Sequence, residues 1–248
     1  MPNQTEKRTI CLEVQNLVKT YGGRPVVNGL SFKVHQGEIV GLLGPNGAGK
    51  TTAFYMTVGL IHPDQGQVMF CGQDVTYVPM HQRARMGMGY LAQEPSVFRN
   101  LTVEENISCI LESLPLSKQE RKQQLEELLG ELHLEHLAKK KAAALSGGER
   151  RRVEITRALV TKPSFLMLDE PFANIDPLSI QDLKHLIHLL AQKEISILIT
   201  DHNAREIFSI VNKSYLVQEG KVAFEGSVNE ILSNERARFT YLGTDFKM

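Results

Sequence analysis

The chain has 248 residues, and its 28 lysines and arginines are balanced by 28 aspartates and glutamates. This length supports one sizeable hydrophobic core with at most a small second lobe, and the neutral charge gives no reason to expect nucleic acid as the main partner. The three cysteines lie far apart, which favours neither a disulfide framework nor a zinc site and fits a reducing cytosol. Residues 1–8 are polar and lack an apolar signal core, and no run approaches the roughly 20 apolar residues of a membrane span. We therefore expect any membrane role to come through a partner.

Short alternating segments at 10–14 and 30–34 flank the pair Gly22-Gly23 and predict a small antiparallel sheet. Tyr21 lies just before the predicted turn. Its ring is either an ordinary tyrosine of the sheet or a platform for a nucleotide base, since an aromatic face can stack on any purine. The glycine-rich segment at 44–52, which follows along the chain, favours the second interpretation.

The apolar run Ile39–Leu43 predicts a buried parallel strand, and residues 53–60 predict a helix. Between them lie nine residues, Gly44, Pro45, Asn46, Gly47, Ala48, Gly49, Lys50, Thr51 and Thr52. Strand, glycine-rich loop and helix are the context of a P-loop, in which backbone N–H groups and a helix N-terminus surround phosphate. In such a loop Lys50 would contact the β- and γ-phosphates, and the Thr51 hydroxyl would bind Mg²⁺.

Three further apolar runs predict core strands, and polar residues follow each of them. The runs are 88–92, 164–168 and 195–199, followed respectively by Gln93, by Asp169 and Glu170, and by His202. Open α/β sheets bind ligands at the carboxyl ends of their parallel strands, so we expect these side chains to meet Lys50 at one sheet edge.

These strand-end residues suit distinct roles in hydrolysis of a nucleotide. Asp169 would hold Mg²⁺ through its water shell, Gln93 would bind Mg²⁺ or orient a water, and Glu170 would polarise the attacking water. His202 would donate a hydrogen bond to the γ-phosphate. Taken singly, Gln93 is also typical of a surface loop and His202 of a structural hydrogen bond, so the prediction depends on their convergence.

Residues 94–159 predict a helical subdomain between core segments 1–93 and 160–232, with a tail at 233–248. Its signals are helix Val103–Leu111, a capping box from Ser117 to Glu120, and an apolar stripe, Leu125, Leu128, Leu129 and Leu132, which is more often core than binding surface. The run Lys139, Lys140 and Lys141 is typical of a solvated face.

The segment Ser146, Gly147, Gly148 and Glu149 has capping-box spacing and predicts the start of a helix. Two glycines at a helix N-terminus also predict a second anion site. One P-loop already holds the phosphates of one nucleotide, so this cap would serve the γ-phosphate of a nucleotide on another copy; the alternative is a plain glycine-containing cap. Asp176 would cap the next helix, with Pro177 at its first position, or face a second subunit.

Taken together, these motifs resemble the ABC-type ATPases along the whole chain. They correspond to Walker A (44–51), Q-loop (Gln93), signature (145–149), Walker B (165–169, with Glu170), D-loop (through Asp176) and H-switch (His202), with Tyr21 as the base-stacking aromatic. The resemblance implies an α/β fold: a P-loop, RecA-like ATPase core with an N-terminal antiparallel β-subdomain and an α-helical subdomain. It also implies ATP and Mg²⁺ as cofactors, and a homodimer with each ATP between the P-loop of one copy and the signature of the other.

Several stretches are most similar to the ATPase subunits of lipopolysaccharide exporters. They are 52–56, 93–99, 146–155, 169–173, 200–203 and the tail residues Tyr241, Leu242, Gly243, Asp245 and Phe246. That resemblance implies a peripheral protein on the cytoplasmic face of the inner membrane. Permease subunits would dock near Phe98 and Arg99, unless Phe98 is a core residue. Ala92 and Asn174 depart from the family, which usually has proline and glycine there.

Two other functions stay open at this stage. Branched-chain amino-acid importers share the ending 241–243, but the run from Glu149 to Arg152 favours an exporter, since importers of that type more often continue the signature with glutamine. A soluble ABC protein acting on DNA or ribosomes is disfavoured by the neutral charge and the absence of an inserted coiled coil in the sequence.

Overall fold

A computed structural model describes residues 9–237. Its strands are β1 (Ile10–Tyr21), β2 (Arg24–His35), β3 (Ile39–Leu43), β4 (Gln65–Phe70), β5 (Gln73–Asp74), β6 (Met88–Leu91), β7 (Phe165–Asp169), β8 (Ser196–Thr200), β9 (Lys213–Gln218) and β10 (Lys221–Gly226). Its helices are α1 (Lys50–Val58), α2 (Met80–Arg85), α3 (Val103–Leu111), α4 (Lys118–Glu131), α5 (Gly147–Leu159), α6 (Pro177–Gln192), α7 (Ala204–Phe208), α8 (Val228–Ser233) and α9 (Glu235–Ala237). Short 3₁₀ turns lie at Glu135–Leu137 and Ala142–Ala144.

The central sheet has six strands in the order β10-β9-β3-β8-β7-β6. Strands β3, β6, β7, β8 and β9 run parallel, and β10 returns antiparallel beside β9. Every residue of β3, β7 and β8 is buried, as expected for strands covered on both faces. The four strands that the apolar runs predicted are therefore adjacent, and their carboxyl ends lie along one edge.

A second sheet, β2-β1-β4-β5, is antiparallel throughout. The predicted hairpin at Gly22-Gly23 is confirmed, although its strands are much longer than the segments that indicated them. The inner face of this sheet packs in one cluster with α1 and the central sheet, through residues such as Leu12, Phe54 and Met167. The α/β core with an N-terminal antiparallel subdomain is thus confirmed, and α1 lies in its interior.

Helices α3, α4 and α5 contribute to a second buried cluster. The capping box of Ser117 and Glu120 is present at the start of α4, and Leu128, Leu129 and Leu132 of the apolar stripe are buried. Helix α5 contacts α3, but it also contacts β6 and α6 of the core. The boundaries 94 and 159 of the helical subdomain stay a prediction.

One buried cation fixes the carboxyl end of α1. The guanidinium of Arg83 is fully buried and donates to the carbonyls of Met56 at 3.0 Å and Thr76 at 3.0 Å, and also to Thr57 and Val78. A cation at this position complements the negative end of the helix dipole and satisfies carbonyls that have no partner within the helix. Residues 241–246, which contributed to the family resemblance, lie outside the described part of the chain. Within 9–237 no helix has both the length and the hydropathy needed to cross a bilayer.

Candidate active site

The loop between β3 and α1 has an exposed tip, Pro45 to Gly47, and a buried base. Lys50 is buried, and its Nζ donates to the carbonyls of Gly44 at 2.7 Å and Pro45 at 3.0 Å, so the ammonium group lies inside the curve of the loop. Burial lowers the pKa of Lys50, while the nearby carboxylates of Glu170 and Asp169 raise it. Both strand-end carboxylates therefore act electrostatically on the ammonium group, as expected if they share a site with it.

The glycines of the loop are required by the packing of its backbone. A Cβ on Gly44 would lie 2.3 Å from the carbonyl of Val217, and one on Gly49, which has φ +97°, would lie 2.4 Å from the carbonyl of Val26. The Gly47 position has open space, and φ +78° alone favours glycine there. The loop is thus held against β2 and β9.

Three of the predicted residues form one polar cluster around the Glu170 carboxylate. The Nε2 of Gln93 donates to Oε2 of Glu170 at 2.9 Å, and Nδ1 of His202 lies 3.4 Å from the same oxygen. Glu170 has φ +43°, a conformation that costs free energy for a residue with a Cβ, and its N–H donates to the carbonyl of Thr200 at 2.7 Å. The ends of β6, β7 and β8 therefore meet at the Glu170 carboxylate.

Asp169 is a buried acid with one free oxygen. Its side chain is almost inaccessible, and Oδ2 has no hydrogen-bond partner among the described residues. Burial, followed by the neighbouring Glu170 carboxylate, raises the pKa of Asp169 to about 6. Because an unpartnered buried carboxylate is costly, this oxygen fits a site that a cation completes.

The donor set suits Mg²⁺ bound together with phosphate. No group of three or more His, Cys, Asp or Glu in residues 9–237 could hold a metal by itself. An ion here would need oxygens from Asp169, the exposed Thr51 hydroxyl, the Gln93 amide and the nucleotide. Hard oxygen ligands, few of them from protein, are what Mg²⁺ takes at nucleotide sites.

A buried ion pair that was not predicted from the sequence supports these loops. Arg151 donates to the carbonyls of Ala92 at 2.7 Å and Asp169 at 2.9 Å, and to Glu154 at 3.0 Å. Glu154 in turn accepts from the N–H of Ser96 at 2.7 Å. Opposite charges three residues apart on a helix were the available signal. The pair joins α5 to the ends of β6 and β7.

The predicted cap at the start of α5 is confirmed. The hydroxyl of Ser146 accepts from the N–H of Glu149 at 3.2 Å, and Glu149 accepts from the N–H of Ser146 at 2.7 Å and from Lys140 at 3.3 Å. Ser146 and Gly147 are exposed, whereas a Cβ on Gly148 would lie 2.3 Å from Oγ of Ser179. The second glycine therefore allows α5 to pack closely on α6, and the first is the accessible one. Of the lysine run, Lys140 is held by its bond to Glu149, while Lys139 and Lys141 are exposed as predicted.

Comparison with known proteins decides the family. A family profile described as "ABC transporter" matches residues 27–173. The chain is 52% identical over 237 residues to a protein of Acidithiobacillus ferridurans named "Lipopolysaccharide export system ATP-binding protein LptB", covering 96% of this chain and 98% of that protein. This chain belongs to the ABC transporter ATP-binding family. It is accordingly an ATPase, the motor component of an ABC system.

Other relatives agree with this ABC assignment. The LptB of Escherichia coli (strain K12) is 48% identical over 238 residues, with 96% of this chain and 99% of that protein covered. The crystal structure of an ABC transporter ATP-binding cassette in its ADP conformation matches with a TM-score of 0.85 and 29% identity, over 95% of this chain and 99% of that chain.

Three further residues that the resemblance singled out, Tyr21, Phe98 and Arg99, are exposed. Tyr21 is 50% exposed beside Lys19, whose Nζ lies 5.8 Å from the ring centroid. Phe98 is also 50% exposed, with the Arg157 guanidinium carbon 4.8 Å from its ring centroid, so the alternative of a core phenylalanine is wrong. Arg99 is exposed next to it.

Asp176 and Asn174 lie on the loop before α6, and Ala92 follows β6. Asp176 caps α6 by accepting from the N–H of Ser179 at 3.0 Å, and Pro177 is the first residue of that helix. Asn174 has φ +57°, a left-handed conformation that asparagine tolerates better than most residues and that explains the usual glycine. Ala92 accepts the Arg151 hydrogen bond through its carbonyl, which does not require a particular side chain.

Proposed function

We propose that this ABC ATPase drives the permease subunits of a lipopolysaccharide exporter from the cytoplasmic face of the inner membrane. The observation that carries the catalytic part is the cluster of Gln93, Glu170 and His202 beside the Lys50 loop. The names of relatives about half identical over nearly their whole length support the cargo. The catalytic roles of the polar residues and the identity of the cargo are tested by different experiments.

In the proposed cycle, the triphosphate of ATP enters the loop from 44 to 52. Lys50 exchanges the carbonyls of Gly44 and Pro45 for the β- and γ-phosphates, a change that needs only side-chain rotation. Thr51, Gln93 and Asp169 would hold Mg²⁺, which neutralises phosphate charge. Tyr21, exposed at the end of β1, would stack on the adenine.

Glu170 is proposed to polarise the attacking water. Gln93 and His202 both contact Oε2, which fixes the carboxylate and leaves Oε1 for that water. General-base assistance of this kind contributes about 10²–10⁴-fold to the rate. His202, 62% exposed at its side chain, is also free to turn toward the γ-phosphate.

We further propose that the exposed Ser146 and Gly147 at the start of α5 bind the γ-phosphate held by a second copy. The N-terminus of this 13-residue helix presents N–H groups and a positive dipole end, and Lys140 lies beside it. Each ATP would then be enclosed by two copies in a head-to-tail homodimer.

Phe98 and Arg99 are proposed as the docking point for permease helices. An aromatic ring that is half exposed while stacked by Arg157 is held ready for a partner without being buried by its own chain. Arg157 belongs to α5, the helix that carries the Ser146 cap, so docking and nucleotide contact would involve the same helix.

Purification of the tagged chain from membranes of its own cell tests the proposal. Wild-type protein should retain integral membrane partners and lipopolysaccharide, while Phe98→Ala should lose both and keep the ATPase activity of the isolated subunit. The matched control is Leu189→Ala, which shortens a partly exposed apolar side chain elsewhere, on α6. This variant should retain the partners. Permeases that support uptake of branched-chain amino acids, recovered in place of lipopolysaccharide, would contradict the cargo assignment.

A further inference from the structure

Two cysteines of the antiparallel sheet lie next to each other, away from the nucleotide site. Leu12 of β1 pairs with Phe70, the last residue of β4, so Cys11 and Cys71 lie one residue beyond the end of this ladder. The N–H of Cys71 donates to the carbonyl of Cys11 at 2.8 Å, and the two Sγ atoms are 4.0 Å apart. Sixty positions separate the residues in sequence, so only the fold brings the two thiols together.

The two thiols differ in their access to solvent. Cys71 is exposed in the turn between β4 and β5, whereas Cys11 is buried. A cavity of about 210 Å³, lined in part by Cys11, Glu13, Met69 and Gly72, borders the pair. Burial raises the pKa of Cys11 to about 12, which keeps it as the thiol. An oxidant that needs a thiolate would therefore react first with Cys71.

We propose that Cys11 and Cys71 form a modification site at which a hydroperoxide converts the two thiols into an intramolecular disulfide. In the first step the Cys71 sulfur attacks the peroxide, the O–O bond breaks, and Cys71 becomes a sulfenic acid with release of water or an alcohol. In the second step the Cys11 sulfur attacks the Cys71 sulfur, and the S–O bond breaks. The hydroxide leaves with the Cys11 proton as water, so two thiols are oxidised by one peroxide.

The contact between the two cysteines suits this bond. Cys71 is the first residue after β4, and its N–H bond of 2.8 Å to the Cys11 carbonyl keeps the two backbones side by side, as a disulfide with its Cα separation of about 4.4–6.8 Å requires. The sulfurs must approach by about 2 Å, which a rotation about χ1 can supply. The bond would close a covalent loop that contains the whole of β3, the phosphate-binding loop and α1. The disulfide should therefore raise the midpoint of thermal unfolding.

Mass spectrometry of the full-length protein tests the site. The reduced protein is treated with hydrogen peroxide, its remaining thiols are alkylated, and the linked peptides are identified. We expect loss of two hydrogens, a Cys11–Cys71 linked peptide, an alkylated Cys109, and full recovery of three thiols after reduction. Cys71 found as sulfinic acid while Cys11 stays reduced, or linkage through Cys109 instead, would overturn the proposal.

Two variants separate this pair from general thiol reactivity. Cys109→Ser removes the other exposed cysteine, on α3, and should leave disulfide formation and the rise in thermal midpoint unchanged. Cys71→Ser should abolish both, with Cys11 recovered as the free thiol after peroxide. A thermal midpoint that falls on oxidation of the wild type would mean that the bond forms only by distorting the sheet, and would contradict a site built into the native fold.

Discussion

The side-chain amide of Gln93 donates a hydrogen bond of 2.9 Å to the Glu170 carboxylate, although the two residues are 77 positions apart. Gln93 follows β6 and Glu170 follows β7, two neighbouring parallel strands. The carboxylate is therefore held by its own strand and by the adjacent loop. This makes Glu170 a fixed group beside Lys50, which is the arrangement that water activation needs.

Replacement of Glu170 by glutamine should stop turnover without preventing ATP binding. Glu170→Gln keeps the size and the acceptor oxygen that Gln93 and His202 contact, but removes the base, so kcat should fall by about 10²–10⁴-fold. ATP should then trap a dimer, visible by size-exclusion chromatography with light scattering. Glu126→Gln, on the exposed face of α4, is the control and should behave as wild type. A Glu170→Gln protein that stays monomeric with ATP would contradict the proposed sandwich.

Removal of the Lys50 ammonium group should weaken the binding of ATP. Lys50→Ala loses charge-assisted contacts to phosphate worth about 3 kcal/mol together, so the dissociation constant for ATP, measured by calorimetry, should rise by about a hundredfold. Its two present acceptors are the carbonyls of Gly44, which is buried, and of Pro45, at the exposed tip of the loop. Lys162→Ala, an exposed lysine after α5, should leave the affinity unchanged. Unaltered ATP affinity in Lys50→Ala would count against the phosphate-binding role.

The sequence predicts the central sheet and its active edge because both follow from local patterns. Fully buried parallel strands are continuous apolar runs, and each run here ends at a polar residue that the structure places at the same edge. The capping boxes at Ser117 and Ser146 are equally local, since each involves residues only three positions apart. Thr102 and Ser227 carry the same local signal, and the structure has capping boxes there too.

Contacts between distant segments could not be predicted in this way. Arg83 is four-fold hydrogen-bonded to carbonyls of α1 and its neighbourhood, yet in sequence it is one arginine of a short, basic helix. The opposition of Cys11 and Cys71 depends on the register between β1 and β4, which hydrophobic alternation does not determine across a 60-residue separation. The packing reasons for Gly44, Gly49 and Gly148 likewise involve partners on other elements.

The pH dependence of stability should reveal the contact that holds the end of β1 near Tyr21. Asp64 accepts from Nζ of Lys19 at 2.7 Å and from the N–H of Thr20 at 2.8 Å, and these bonds, Lys19 first, lower the pKa of Asp64. A lowered carboxyl pKa stabilises the fold above the pKa of the unfolded chain, and that contribution is lost as pH falls through the folded-state pKa.

Asp64→Asn should therefore be less stable than wild type at neutral pH, and the difference should shrink as the pH is lowered through the acid range. Denaturant titrations at several pH values measure it. Glu112→Gln, at the exposed carboxyl end of α3, controls for the loss of one negative charge and should show a smaller, flatter difference. If the difference in free energy of unfolding between Asp64→Asn and wild type instead grew toward acid pH, the predicted direction of the pH dependence would be wrong.

The turn between β9 and β10 holds the phosphate-binding loop in place, although this turn belongs to none of the sequence motifs named above. Gly220 donates its N–H to the carbonyl of Ala48 at 2.9 Å, and its own carbonyl accepts from the N–H of Asn28 at 2.8 Å. One residue thus bridges the loop and β2. A Cβ on Gly220 would lie 2.6 Å from the carbonyl of Val26, so no other residue fits without displacing the backbone.

Gly220→Ala should accordingly weaken ATP binding, and the chain contains a matched control. Gly72 lies in a similar turn with φ +77°, against +73° for Gly220, but a Cβ added there would have no neighbouring atom within 4 Å. Both substitutions carry the same left-handed strain, about 1–2 kcal/mol, so both should lower the thermal midpoint. Only Gly220→Ala should also move the Ala48 carbonyl and raise the dissociation constant for ATP, by about tenfold, or about 1.4 kcal/mol. Equal ATP affinities in the two variants, measured below both unfolding transitions, would mean that the turn contributes stability alone and that the loop keeps its shape without it.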